Sequence, residues 1–175
     1  MSPKHIRIGA ALLGLLALIL VVQTIRWSGE SGAERAHQKF LDHVADRRWG
    51  KCQRMISTSY SDRWGFGRND ISLALKDVGS QFVISLLIGW ETEAIEEVEG
   101  AFEIVGKMDI DGRGGPAVEL ILAEARRYTS RPFTFHWKRE GLLPWKWKLQ
   151  SIDHPTVEVP PGYTPGDLGS ITSPF

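Results

Sequence analysis

Three side chains in this sequence can carry acid–base chemistry if the fold brings them together. Asp153 ends an alternating run of apolar residues that begins at Trp145, so a period of two places its carboxylate on the inner face of a strand. Tyr60 and Tyr128 are phenols available to act with it. General acid–base catalysis needs at least two such groups converging in a dry pocket. A lone carboxylate at a strand end more often pairs with an arginine or caps a turn, so a pocket enzyme using these residues is the alternative interpretation.

The sequence lacks the patterns that are typical of metal and nucleotide sites. His37 and His43 lie six residues apart, about 240° around a helix, so their imidazoles point in different directions. Cys52 is the single cysteine, which excludes a disulfide framework and a zinc site built from several thiolates. Gly65 and Gly67 lack the following lysine and hydroxyl residue of a phosphate-binding loop. We therefore expect no metal and no cofactor.

Aromatic residues are frequent, with seven tryptophans and seven phenylalanines. Each can bury roughly 150–250 Å², so they either fill a core or line a pocket. Two short runs near residues 133–137 and 145–149 place aromatic side chains on alternate positions, as on the inner face of two strands. A core is favoured over a ligand pocket, since every domain needs a core and only some need a cavity. The residues predicted to form the core or to line a pocket are Phe40, Trp64, Phe135, Trp137, Trp147 and Leu149.

The 21 basic and 21 acidic residues cancel, which excludes nucleic-acid binding through neutralised phosphates. The charges are nonetheless segregated, because acidic residues dominate 91–124 and basic residues dominate 126–148. Pairing between adjacent strands is the favoured interpretation, at about 0.2–1 kcal/mol per pair. The alternative is a basic hairpin that binds an acidic partner or anionic lipid headgroups. The basic residues of this hairpin are Lys138, Arg139, Lys146 and Lys148.

Residues 8–25 form a run of eighteen residues without a charge. A helix of that length is roughly 27 Å long, close to the ~30 Å of a hydrocarbon core. A cleaved signal peptide has the same order of charges, but its apolar region usually has only ~7–15 residues, so an uncleaved transmembrane anchor is the preferred interpretation. Lys4 and Arg7 precede the run. They favour a single-pass protein of the cell membrane, with residues 1–7 in the cytoplasm and the main domain outside it.

The remaining chain divides into a linker at 26–32, a folded body at 33–154 and a tail at 155–175. The tail has five prolines and no basic residue, so we expect it to be extended or disordered, or strapped back over the domain. The body begins with three helices by their apolar period, and Gly50 is interpreted as the break before the second. From about Trp90 the period changes to two, and AVELILAEARRY at 117–128 is interpreted as a strand. This order predicts an α+β domain in which three N-terminal helices pack on a curved antiparallel sheet.

These features resemble the nuclear-transport-factor-2-like superfamily. The resemblance covers residues 33–154 and rests on a long first helix, AERAHQKFLDHVADRRW, a short second one and the closing aromatic hairpin FTFHWKREGLLPWKWKLQSID. It implies a cone of three helices wrapped by a strongly bent antiparallel sheet. The superfamily includes dehydratases and isomerases as well as binding and assembly domains, so the resemblance does not select a function. Its isomerases place an oxyanion-stabilising tyrosine on the first helix, which here has none.

Taken together, the sequence predicts a membrane-tethered extracytoplasmic domain that acts through protein–protein contacts or a hydrophobic pocket. A protein partner or a second copy of the chain would bind the sheet face, and no nucleic acid is expected. A dehydratase- or isomerase-type enzyme that uses Asp153 with Tyr60 or Tyr128 is the alternative.

Overall fold

The computed structural model of the protein describes residues 3–26 and 28–167. Trp27 of the predicted linker and residues 168–175 of the predicted tail lie outside the described residues. The helices are α1 (Pro3–Arg26), α2 (Gly29–Ala45), α3 (Trp49–Met55), α4 (Arg68–Gln81) and α5 (Ala117–Tyr128). The strands are β1 (Ser85–Val98), β2 (Ala101–Arg113), β3 (Phe133–Arg139) and β4 (Trp147–Asp153).

The four strands form one antiparallel sheet in the order β1-β2-β3-β4. Its inner face is built from apolar residues that lie side by side, since Ile104 pairs with Phe135 and Phe135 pairs with Ile152. The outer face is polar, and there His136 pairs with Glu103, with Nδ1 to Oε1 at 3.2 Å. The predicted α+β class with an antiparallel sheet is confirmed.

Helix α2 packs its apolar side against this inner face. Ala36, Phe40, Leu41 and Val44 are buried at the helical spacing expected from the sequence. Trp137 on β3 is fully buried, and its ring contacts the Phe40 ring edge-to-face at 5.9 Å between centroids. Edge-to-face aromatic pairs of this kind contribute about 0.5–1.5 kcal/mol beyond their buried area. The core therefore lies between α2 and the two closing strands.

The predicted number of helices is wrong. The structure has five helices among its described residues: α1, where the sequence predicts the anchor helix, the three N-terminal helices of the body, and α5, which was predicted as a strand. Residues 117–128, interpreted as a strand, form α5 instead: Val118, Ile121 and Leu122 share one helical face, and Val118 is buried. Gly50 lies inside α3 rather than before it. Helix α2 begins at Gly29, four residues before the predicted start of the body.

The predicted inward orientation of Asp153 is also wrong. The pairing of β3 with β4 changes register between His136 and Trp137, because His136 lies opposite Ser151 whereas Trp137 lies opposite Leu149. The extra residue on β4 is a β-bulge, which inverts the alternation of every residue that follows it. Ile152 therefore points into the core and Asp153 points to solvent.

Helix α1 carries exposed aliphatic side chains throughout the part whose side chains are described, from Leu12 to Val22. Within the described residues, no single helix combines the length and the hydropathy required to cross a membrane. One bent pair meets the requirement jointly, consisting of Leu12–Thr24 and Gly29–Ala45 with 81° between them.

Candidate functional site: an apolar cavity and a basic groove

A cavity of about 320 Å³ lies between α2, α4 and the inner face of the sheet. Helix α4 supplies one wall, with Ala74, Leu75 and Val78, and β2 supplies the opposite wall with Met108 and Ile110. The lining residues are Phe40, Leu41, Val44, Trp64, Ile71, Ala74, Leu75, Val78, Gly79, Phe82, Leu86, Ile88, Met108, Ile110, Phe133, Phe135, Ile152 and Val157. The volume falls within the range of about 300–1,000 Å³ that is usual for small-ligand sites.

The inner face of the sheet is less completely covered beside the cavity than in the core. Along β2, Phe102 and Ile104 are buried, whereas Met108 and Ile110 are only half-buried. Strand β1 has a register shift between Thr92 and Ala94, and bulges of this kind bend a strand. The inner residues beyond the bulge, such as Ile88 opposite Ile110, therefore face the cavity rather than a packed helix.

The chemistry of the lining is hydrocarbon and aromatic. None of the described lining residues has a titratable side chain. Its one side-chain donor, Nε1 of Trp64, already donates to the carbonyl oxygen of Val157 at 2.8 Å. Burial of apolar surface is worth roughly 25 cal/mol per Å². The arrangement can therefore hold an apolar molecule by desolvation, and it offers no proton donor or acceptor for acid–base chemistry.

The chain after β4 folds back over this site. His154 is fully buried, and its Nδ1 accepts the backbone N–H groups of Thr156 and Val157 at 3.2 and 3.1 Å. Further along, the buried carboxylate of Asp77 on α4 accepts the hydroxyl of Tyr163 at 3.0 Å and the N–H of Gly166 at 2.7 Å. Burial, followed by the bond to Asp77, raises the pKa of Tyr163. Residues 155–167, which we name the strap, are thus tied to the body at both ends.

A second concave surface, which we name the basic groove, has a volume of about 670 Å³. It lies between the C-terminal part of α1 and the body, at the end where the β3–β4 hairpin turns. Its lining residues are Leu20, Gln23, Ala36, Lys39, His43, Lys51, Arg54, Met55, Trp145, Lys146, Trp147 and Lys148. Five of these twelve residues are lysine or arginine, and no acidic residue is among them.

The three residues of the enzymatic alternative do not line the cavity. Asp153 is exposed and lies 3.5 Å from the guanidinium of Arg63. Tyr60 is buried and donates its hydroxyl to Asp62 at 3.0 Å, and burial raises its pKa. Tyr128 lies on α5 and donates to Glu124 at 2.7 Å. Each of the three groups therefore has a partner of its own, and the three pairs lie in different parts of the fold.

The predicted core or pocket residues divide between the two roles. Phe40, Trp64 and Phe135 line the cavity. Trp137 and Leu149 are fully buried in the core without lining it, and Trp147 is buried with an edge on the basic groove. The helical spacing of Ile71, Leu75 and Val78 predicts the apolar side of α4, but it does not show that these residues line a cavity.

The predicted basic hairpin is likewise divided. Lys146 and Lys148 line the basic groove, whereas Lys138 and Arg139 do not. The sequence did not predict that Lys39, Lys51 and Arg54 from α2 and α3 would join them, because that convergence depends on how the helices pack. Among the described residues, no three His, Cys, Asp or Glu side chains are grouped so that they could hold a metal ion.

The chain was compared with known proteins. No protein-family model matches it, and no curated protein matches its sequence. Solved structures match it in fold. A nuclear-transport-factor-2-like protein of unknown function from Pseudomonas putida has a TM-score of 0.51 and 10% identity, covering 70% of this chain and 82% of that one.

Two further structures give the same result. A conserved protein from Planctomyces limnophilus has a TM-score of 0.51 and 14% identity, with 70% of this chain and 92% of that chain covered. A provisionally assigned dehydratase of the nuclear-transport-factor-2-like family from Streptomyces avermitilis has a TM-score of 0.50 and 12% identity, with 68% and 89% covered. At such identities the similarity concerns the fold alone.

Proposed function

We propose that this chain, which has the nuclear-transport-factor-2-like fold, is a membrane-tethered binding domain that holds an apolar small molecule in its cavity. The observation that carries the proposal is the lining of the cavity, which has a ligand-sized volume and only hydrocarbon and aromatic surface. The walls of an empty apolar cavity lack van der Waals contacts on one side. A bound apolar molecule supplies these contacts.

Binding is preferred to catalysis because of what the lining lacks. A dehydratase or isomerase must move protons, which needs titratable groups within about 3 Å of the reacting atoms. The described lining has none, and Asp153, Tyr60 and Tyr128 are engaged elsewhere. The fold hosts many activities and selects none of them.

The apolar character of α1 supports the proposal that the chain is tethered to a membrane. Residues 8–25 carry no charge, and Leu13, Leu18 and Val21 are more than half exposed to solvent. Exposed aliphatic side chains along a helix are favourable in hydrocarbon and costly in water. Lys4 and Arg7 before the run favour a cytoplasmic N-terminus and an extracytoplasmic body.

Both parts of the proposal can be tested by photolabelling the full chain in lipid vesicles. The probe is an alkyl diazirine dissolved in the lipid, and the labelled residues are located by mass spectrometry of the digested protein. We expect labels on α1, from contact with hydrocarbon, and on Leu75, Val78 or Ile110, from occupancy of the cavity.

The variant Ala74→Phe places a ring in the cavity and should abolish cavity labelling while α1 stays labelled. The matched control is Lys76→Phe, which adds the same ring on an exposed position of α4 and should change neither. Labels on α1 but not in the cavity would refute ligand binding. Labels in the cavity but not on α1 would refute the tether.

A further inference from the structure

The basic groove gathers cations from α2, α3 and the β3–β4 hairpin. Lys51, Arg54 and Lys146 are exposed, and no ion pair within the described part of the chain involves them. Several cations gathered around one concavity repel one another, so an anion that enters it gains the attraction of all of them.

His43 lies in the groove, close to the same cations. It is 8% exposed, it lines the groove, and its Nδ1 has no hydrogen-bond partner among the described residues. Burial lowers its pKa, and Lys51, Lys39 and Arg48 lower it further, while Asp42 offsets only part of this. A buried polar atom without a partner is uncommon in folded proteins, and here it lies among cations at the floor of a groove.

The groove lies at a defined depth relative to the proposed anchor. Leu20 and Gln23 of α1 form one wall. Leu20 precedes Ile25, the last residue of the uncharged run, by roughly 8 Å of helix. With α1 across a bilayer, this wall lies within about 8 Å of the boundary between the hydrocarbon and the headgroups.

The β3–β4 turn adds apolar residues beside the basic ones. Leu142 is fully exposed at 102%, Leu143 is exposed at 41% and Trp145 at 43%, and Trp145 also lines the groove. Aliphatic and indole side chains flanked by lysines are typical of surfaces that enter the membrane interface.

We propose that the basic groove binds the headgroup of an anionic phospholipid, and that this contact holds the body against the membrane surface with the turn at Leu142 inserted among the lipids. The proposal rests on the proposed tether, since α1 brings the groove to the depth of the headgroups. Lys51, Arg54 and Lys146 contact the phosphate, while Trp145 lies on the acyl side.

The test uses the full chain with Leu142→Cys, labelled with a dye whose emission rises in an apolar environment. Leu142 is fully exposed, so the substitution leaves the fold intact. The native Cys52 does not compete for the label, because it is 2% exposed and burial raises its pKa to about 11. The labelled chain is placed in nanodiscs of phosphatidylcholine alone or of phosphatidylcholine mixed with phosphatidylglycerol.

We expect the emission to rise only in discs that contain phosphatidylglycerol. The double variant Lys51→Gln and Arg54→Gln should lower the ratio of docked to undocked chain roughly 30-fold, since each basic residue near an anionic surface contributes about 1 kcal/mol. The matched control, Arg126→Gln with Arg131→Gln, removes two exposed cations outside the groove and should keep the response.

The outcomes separate this proposal from the tether. A chain that enters both kinds of disc without any emission change refutes the groove proposal and leaves the tether standing. A different outcome is a chain that binds only to discs that contain phosphatidylglycerol and loses this binding in the Lys51→Gln and Arg54→Gln variant. That result supports headgroup binding by the groove and refutes the tether. An equal loss in the control variant, or the same response to inorganic phosphate in phosphatidylcholine discs, overturns the assignment to the lipid headgroup.

Discussion

Trp137 and His37 are joined by a hydrogen bond across 100 residues of sequence, in which the indole Nε1 donates to the imidazole Nδ1 over 3.3 Å. The bond links β3 to α2 in the centre of the core, where both residues are buried. Because Nδ1 accepts, the ring proton of neutral His37 is on Nε2, which has no partner among the described residues. Aromatic rings surround the imidazole, with Trp90 at 4.4 Å and Phe135 at 4.7 Å between centroids.

This environment makes the stability of the body depend on pH. Burial lowers the pKa of His37 from 6.5 to about 3. Between those values the unfolded chain binds a proton that the folded chain does not, so the free energy of unfolding falls as the pH drops from 6.5 towards 3, by up to about 1.4 kcal/mol per pH unit. His37→Gln should reduce that slope in denaturant titrations followed by tryptophan fluorescence.

His43 provides the comparison, because burial lowers its pKa as well. His43→Gln should remove a separate part of the slope, since burial and the neighbouring Lys51, Lys39 and Arg48 lower the pKa of its imidazole. An identical pH dependence in His37→Gln and in the unaltered chain would contradict the neutral buried state of His37.

Gly106 on β2 allows the backbone of β1 to approach closely. A Cβ at this position would lie 2.4 Å from the carbonyl oxygen of Glu91 and 2.6 Å from the Trp90 ring. Gly106→Ala should therefore lower the free energy of unfolding by about 1–3 kcal/mol, the usual effect of overpacking. Gly50→Ala, inside α3 with only the Arg54 side chain near at 3.8 Å, should stabilise by about 0.5–1 kcal/mol. Chemical unfolding of both variants measures the two changes in the free energy of unfolding. Equal changes would contradict the close approach of the backbone at Gly106.

The strap depends on Asp77. Asp77→Ala removes the acceptor of both the Tyr163 hydroxyl and the Gly166 N–H, and a lost bond to a charged group costs about 1.5–3 kcal/mol. We expect faster hydrogen exchange in the peptide that covers residues 157–167, without a change in the exchange of β3. Glu158→Gln, an exposed change within the strap, serves as the control. Unchanged exchange in Asp77→Ala would mean that the strap is held by other contacts.

Asp153 is predicted to be dispensable. Its ion pair with Arg63 is long at 3.5 Å, and both side chains are about half exposed, so the pair contributes little in water. Asp153→Asn should change the free energy of unfolding by less than about 0.5 kcal/mol and should leave photolabelling of the cavity unchanged. Loss of cavity labelling in this variant would contradict this prediction and would favour a role for Asp153 in a pocket enzyme.

The sequence predicted the elements whose periodicity is uninterrupted. The stripe Ala36, Phe40, Leu41 and Val44 packs as expected on α2, and the aromatic alternation of the closing hairpin places Trp137 inside. Residues 117–128 were misassigned because a short run with many apolar residues was read as a strand, although Val118, Ile121 and Leu122 have helical spacing.

Features that depend on irregular pairing or on packing were not predictable. A single extra residue near Gln150 turns the side chain of Asp153 towards solvent, and no residue pattern in the sequence predicts that bulge. The cavity and the basic groove each combine residues from elements far apart in the chain. Helix periodicity predicted which side of α4 is apolar, but not that a space would separate it from Met108 and Ile110.

The occupied cavity is the central claim, and methyl NMR of the full chain in nanodiscs tests it most directly. Decanol, as an apolar probe, is added to protein with labelled Ile, Leu and Val methyl groups. We predict saturable shifts for Val78, Ile110 and Ile152, which line the cavity, and none for Leu120, which is 75% exposed on α5. Unshifted cavity methyls, or shifts confined to exposed residues such as Leu120 and Leu142, would contradict the claim.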